Sequence, residues 1–164
     1  MGHINMEKDA FISKCGKYRY WLYRRWDKNK GCCSFIMLNP STADASKDDP
    51  TIRRCIGYAK RLGYGSMYIL NLFALRATDK KELKTADDPV GACNDRYMRK
   101  MLKNAKVIIA AWGSYGRYMG RSEKVLNMLR ERRHEVYCLK MGKSGEPCHP
   151  LYLRNDARLR GMMG

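Results

Sequence analysis

Phe35-Ile36-Met37-Leu38 runs straight into Asn39-Pro40-Ser41-Thr42. An apolar run of strand length that stops at Asn-Pro reads as a buried strand ending in a loop. Three other runs end the same way. Met67-Tyr68-Ile69-Leu70 meets Asn71, and Val107-Ile108-Ile109-Ala110-Ala111 meets Trp112-Gly113-Ser114-Tyr115. Val136-Tyr137-Cys138-Leu139 is followed, beyond a glycine-bearing loop, by His149-Pro150-Leu151. Stretches rich in helix formers separate the runs. The pattern predicts an α/β fold: a three-layer αβα sandwich around a central, mainly parallel four-stranded sheet. In such folds ligands bind beyond the carboxyl ends of the strands, where the Asn, Ser and His side chains fall.

Working outward, helices are expected between the runs. Asp49-Pro50-Thr51 suits a helix start, and Ile52, Cys55, Ile56, Ala59 and Leu62 recur at helical spacing up to Gly63. A short turn at Lys80–Lys84 and a helix after Asp87-Asp88-Pro89, with Met98, Met101 and Leu102 inward, are expected next. A third helix follows Gly120-Arg121-Ser122, carrying Val125, Leu126, Met128 and Leu129, and a last short one spans residues 155–160. Tyr18 to Trp26 alternates aromatic with basic residues before the turn-rich Asp27-Lys28-Asn29-Lys30-Gly31. This predicts an N-terminal β-hairpin into the next strand, with its arginines facing water on a half-buried edge strand. Residues 1–16 read as an arm, and residues 1–164 as a single domain without repeats or linkers.

The 164 residues carry 33 Lys and Arg against 16 Asp and Glu, a net charge of +17. So large a surplus disfavours a neutral small-molecule substrate and points to a polyanionic partner, DNA first, duplex or single-stranded. No stretch approaches the roughly 20 apolar residues of a membrane span, and no apolar signal core opens the chain. Seven cysteines in an odd count, with no Cys-x-x-Cys pair, fit free thiols in a reducing cytoplasm and no metal site. A monomer is the simplest expectation.

Taken in order, the strand-end motifs resemble the uracil-DNA glycosylase superfamily. Met37-Leu38-Asn39-Pro40-Ser41 is similar to its Asp-Pro or Asn-Pro strand end, and His149-Pro150-Leu151-Tyr152-Leu153 to its late His-Pro-Ser-Pro-Leu loop. Tyr68-Ile69-Leu70-Asn71 resembles the strand whose terminal Asn reads the flipped base, and Ala111-Trp112-Gly113-Ser114-Tyr115-Gly116 the Leu-Trp-Gly-x-Tyr-Ala strand end. The match covers about residues 33–154. The chain also resembles a phage and bacterial family marked by Leu-Asn-Pro-Ser-Thr-Ala-Asp, here Leu38 to Asp44.

The resemblance implies a DNA glycosylase that flips a uracil or modified base and hydrolyses its N-glycosidic bond, in DNA repair or modified-base processing. The residues suit that chemistry. Bond cleavage leaves positive charge on the sugar and negative charge on the base, so one polar group must hold water and another must donate to the base. Asn39 is expected to orient the water, and His149 to donate to a base oxygen or approach the sugar. His3 and His134 are set aside as arm and helix-end residues. The family's strongest members carry Asp at the Asn39 position, so the likeness is to the Asn-Pro branch, with Asp44, Asp48 or Asp49 as alternative sources of a carboxylate. Asn71 offers a donor and an acceptor to a base edge. Pro40, Ser41, Trp112, Gly113, Ser114, Pro150, Leu151 and Tyr152 complete the expected substrate contacts, Leu151 to Leu153 standing where the family wedges a duplex. Lys143 and Arg154 are expected on the DNA backbone. No metal or cofactor is implied, since water is the nucleophile. The alternatives are an inactive nucleic-acid-binding module of the same fold and a base-processing enzyme acting on free nucleotides.

Overall fold

The computed structural model describes residues 5–162. Seven strands form one mixed sheet: β1 (Glu7–Ile12), β2 (Arg19–Arg25), β3 (Cys32–Met37), β4 (Ser66–Asn71), β5 (Ile108–Ala110), β6 (Val136–Cys138) and β7 (Arg160–Gly161), in the order β1-β2-β4-β3-β5-β6-β7. The helices are α1 (Pro50–Arg61), α2 (Lys81–Thr85), α3 (Asn94–Leu102) and α4 (Arg121–Glu131), with 3₁₀ turns at Ser114–Gly120 and Pro150–Tyr152. β3 pairs parallel with β4 on one side and β5 on the other, and β5 pairs parallel with β6. The β1–β2, β2–β4 and β6–β7 pairs are antiparallel.

Alternation along the strands gives the sheet two apolar faces. Cys33, Phe35 and Met37 pack with Ile52, Cys55, Ile56 and Ala59 of α1, whereas Ile36 and Leu38 pack with Met98 and Leu102 of α3 and Val125 and Leu129 of α4. Parallel strands buried on both faces read as continuous apolar runs, which is why these segments stand out in the sequence. α1 begins as its sequence predicts: the Asp49 carboxylate accepts the Ile52 N–H and Pro50 takes the first helical position.

Several expectations are corrected. The sheet is mixed and seven-stranded, and the hairpin belongs to it. β2 pairs with β1 and β4, so its partner is not the strand that follows it and it is no edge. Residues 7–12, read as arm, are strand β1; the first four residues, His3 among them, lie outside the described residues. Residues 155–160 hold turns and the start of β7 in place of a helix, and the expected turn at Lys80 is the one-turn helix α2. Two arginines expected in water are buried, Arg19 at 2% exposure and Arg24 at 0%.

A β-bulge explains Arg19. The β1–β2 register jumps from Phe11↔Trp21 to Ile12↔Arg19, leaving Tyr20 as an extra residue. One extra residue reverses the alternation and re-aims the side chain beyond it. Arg19 thereby joins the face of Leu22 instead of that of Trp21.

Candidate base-binding pocket

β3 continues through α1 on one face of the sheet while its neighbour β5 continues through α4 on the other, and a crevice opens between them at the carboxyl ends of the strands. The strand ends are knit together there. Leu72 and Phe73 donate their N–H groups to the Met37 and Leu38 carbonyls, and Ala111 donates to Ile36. A pocket of about 240 Å³ lies above them, lined among others by Arg19, Asn39, Asn71, Trp112, His149 and Tyr152. Asn39, Asn71 and His149, far apart in the chain, thus share one cavity. Met37, Ile52 and Ile69 supply apolar lining. The volume is below the roughly 300–1,000 Å³ of drug-sized ligand sites, which suits a single small heterocycle.

Asn71 is 1% exposed, and among the described residues neither Oδ1 nor Nδ2 has a hydrogen-bond partner. The neighbouring main chain has no need of it. Asn94 Nδ2 donates to the carbonyls of Asn71 and Leu72, and Arg121 Nε donates to Leu72 as well. Among the described residues this carboxamide caps no loop, and an orphaned buried amide is costly enough to need another explanation.

Asn39 is fixed in the opposite way. Its Nδ2 donates to the Pro40 carbonyl at 3.0 Å and the Ala77 carbonyl at 2.8 Å. Two carbonyl acceptors determine which end of the amide is nitrogen, leaving Oδ1 as the acceptor with no hydrogen-bond donor among the described residues.

His149 opens the Pro150–Tyr152 turn, and its Nδ1 accepts the Leu151 N–H at 3.2 Å. In the neutral ring the proton then sits on Nε2, which becomes the donor. Burial, and next the charge of Lys80, push the His149 pKa below its ordinary value, with Asp49 opposing them. The loop that carries His149 is fastened to α1: Arg54 donates to the Pro150 and Leu153 carbonyls and to Asn155 Oδ1.

Trp112 forms a wall rather than a mobile platform. Its indole N–H donates to Glu146 Oε2 at 2.6 Å, and Glu146 Oε1 accepts from Ser122 at 2.9 Å. Gly113 turns the chain with φ of 78° and ψ of 179°, a region reserved for glycine. Its N–H donates to the Pro147 carbonyl, bringing the His149 loop beside β5.

Of the remaining expected residues, Pro40, Ser41, Asp49, Gly113, Leu151 and Tyr152 also line the pocket. Tyr152 is 85% exposed at its rim. Ser114, Pro150, Asp44, Asp48, Lys143 and Arg154 are not among the lining residues. Asp44 is used within its own loop, accepting the Ser46 and Lys47 N–H groups. Asp48 pairs with Arg24 and Lys8. Arg154 is paired with Asp156, and Pro150 backs the turn with its carbonyl on Arg54. Both oxygens of Asp49 are occupied by N–H groups of Ile52 and Ala43. Arg19, Thr51, Thr78 and Lys80 line the pocket without any motif announcing them.

The chain matches, over residues 19–151, the model of a family described as a protein of unknown function (DUF1643). It belongs to that family. The matched segment contains every lining residue of the pocket except Tyr152. No curated protein and no solved structure matches the chain.

Proposed function

We propose that the pocket receives a single nucleobase, and that the protein is a DNA glycosylase-like enzyme hydrolysing the N-glycosidic bond of uracil or a modified base in DNA. The observation that carries this reading is the buried Asn71 carboxamide in the lining of a cavity of base size, with donor and acceptor both unused among the described residues. A carboxamide in that state matches a heterocycle edge that presents an acceptor beside a donor. Neutral His149 donates from Nε2 to a base oxygen as negative charge grows there. Asn39 Oδ1 accepts from a water and aims it at the anomeric carbon. No side chain in this scheme is a strong base, so bond breaking runs ahead of water attack and the rate rests on stabilising the departing base. The net charge of +17 supports a nucleic-acid substrate over a free nucleotide.

The occupation of both Asp49 oxygens and the amide at position 39 favour one second reading: a base-binding module without turnover. One experiment separates the two. Single strands and duplexes containing uracil, hydroxymethyluracil or other altered bases are incubated with the protein and heated in alkali. Breaks at the altered base that disappear in Asn39→Ala and His149→Ala support the enzyme. Salt-sensitive binding to such strands with no breaks on any of them supports the module.

A further inference from the structure

Two arginines on β2 are buried, and their surroundings differ completely. Arg24 is satisfied: Nε pairs with Asp48 at 2.8 Å, Nη1 donates to the Asp9 and Tyr23 carbonyls, and Nη2 to those of Asp44 and Lys47. It ties the loop after β3 to the sheet. Arg19 makes one guanidinium hydrogen bond among the described residues, Nη1 to the Ala43 carbonyl at 3.0 Å. Its Nε is buried with no partner among those residues, and it lines the pocket.

A buried cation is stable when it is paired and its donors are used. Arg19 meets neither condition. Asp49 is the nearby opposing charge, but no ion pair joins them within the described residues, and both Asp49 oxygens already accept backbone N–H groups. Burial brings Arg19 down to about 10, so it stays charged at neutral pH. Lys80 adds a second cation at the rim. The cavity therefore holds positive charge and free donors in excess of what the protein uses.

We infer that Arg19 is the anion-binding group of this pocket and that its ligand is a heterocyclic base in its negatively charged form, the leaving group of the reaction proposed above. The inference rests on that base-binding reading and adds a residue to it. When the bond between the anomeric carbon and the ring nitrogen breaks, its electron pair stays on the base and spreads onto the carbonyl oxygens. The water oxygen bonds to the anomeric carbon, and the proton it sheds ends on the released base. A fixed guanidinium beside those oxygens lowers the energy of the separated charges, and being prepaid by the fold it needs no reorganisation as the bond breaks. Arg19 thus acts at the base, where negative charge grows, and Asn39 at the sugar and its water.

The test uses free bases and the full-length protein, so that it does not depend on turnover. Binding of uracil, neutral at pH 7.5, is compared by calorimetry with binding of 5-nitrouracil, which is ionised at that pH. The wild type is expected to hold 5-nitrouracil tighter by about tenfold or more, the scale of one charge-assisted hydrogen bond. Arg19→Gln, verified as folded by thermal unfolding, should lose the preference, and Arg19→Lys should keep part of it. Equal affinity of the wild type for the two bases, or a preference surviving in Arg19→Gln, overturns the role of Arg19 while leaving the base pocket intact. Binding of neither base sinks the pocket reading itself. Inorganic phosphate that displaces 5-nitrouracil and binds more tightly in an Arg19-dependent way makes the natural anion a phosphate and also overturns the inference.

Discussion

At the scale of single residues the pocket holds two asparagines in opposite states, and each makes a distinct prediction. Asn71 is unsatisfied, which costs the free protein about 1–3 kcal/mol. Replacing it with the similarly sized, apolar leucine should leave the melting temperature unchanged or raise it, while base binding is lost; a clear drop in melting temperature would mean that the amide has a structural partner. Asn39 is satisfied through its N–H groups, so Asn39→Asp puts an oxygen against two carbonyls. The carboxyl is then easier to protonate in the folded state than at its unfolded value near 3.9. The folded protein binds the extra proton, so the variant's deficit is small below about pH 4 and grows as pH rises through the folded pKa, reaching about 1–3 kcal/mol. Urea unfolding at pH 3.5 and pH 7 would show it. This local clamp gives a physical reason for asparagine rather than aspartate at position 39. His149 titrates below its ordinary value for reasons that include Lys80. Folding therefore loses stability as pH falls through the unfolded value of about 6.5 toward the folded one, because the unfolded chain takes up the proton first. Lys80→Met should raise the His149 midpoint in an NMR titration of the ring; an unchanged midpoint would leave burial as the sole cause.

At the scale of elements, what could be read in advance depended on periodicity. The strands β3, β4, β5 and β6 and the helices α1, α3 and α4 were legible because buried parallel strands are continuously apolar and amphipathic helices repeat on one face. The strand ends and the loop after β6 line the candidate pocket, so the shared position of Asn39, Asn71 and His149 was legible with them. β2 was legible as a strand but not in its place, since Tyr18 to Trp26 mixes aromatic and basic residues on both faces and gives no sign of a second neighbour. Arg19 was hidden more deeply: strict alternation groups it with Trp21 and Tyr23, and only the bulge at Tyr20 turns it into the pocket. Arg24, in phase with Tyr20 and Leu22, did carry a signal of burial. Lys80 and Thr78 come from a connection whose path is set by tertiary contacts, such as the Ala77 N–H on the Pro40 carbonyl, and no local pattern encodes these. The start of α1 is the element most open to test. Asp49 caps the helix and also holds the Ala43 N–H, so Asp49→Ala should cost about 1–2 kcal/mol, toward the upper end for a cap. If Asp49 has no further role, base binding in the folded variant should fall little; a complete loss would make this carboxylate part of the chemistry.

For the whole molecule the decisive quantity is charge. An excess of 17 positive charges on 164 residues is spread along the chain rather than gathered in a tail, so the folded body itself carries it. Part of that charge is internal. Arg19 is buried and Arg54 is spent on the carbonyls behind His149, while Arg24 and Arg121, neutralised by Asp48 and Asp95, add nothing to the excess. Much of the remainder stands on exposed side chains such as Lys103 and Lys143, where it can meet phosphates only over a broad surface. Binding to DNA should accordingly be strong at low salt and largely indifferent to sequence, with log K falling linearly in log salt by about 0.9 per phosphate neutralised on a duplex. Neutralising one such cation, as in Lys143→Gln, should lower affinity equally for all sequences and reduce that slope by about one if Lys143 contacts a phosphate. An altered base should act differently, adding a salt-insensitive increment that vanishes in Asn71→Leu, because it is bound inside the pocket and not by counterion release. Fluorescence titrations of matched strands with and without the altered base, at several salt concentrations, measure both contributions together. Parallel lines displaced by a constant amount would show charge delivering the strand and the pocket selecting the base. Lines that coincide would leave the charge with a partner other than one carrying that base.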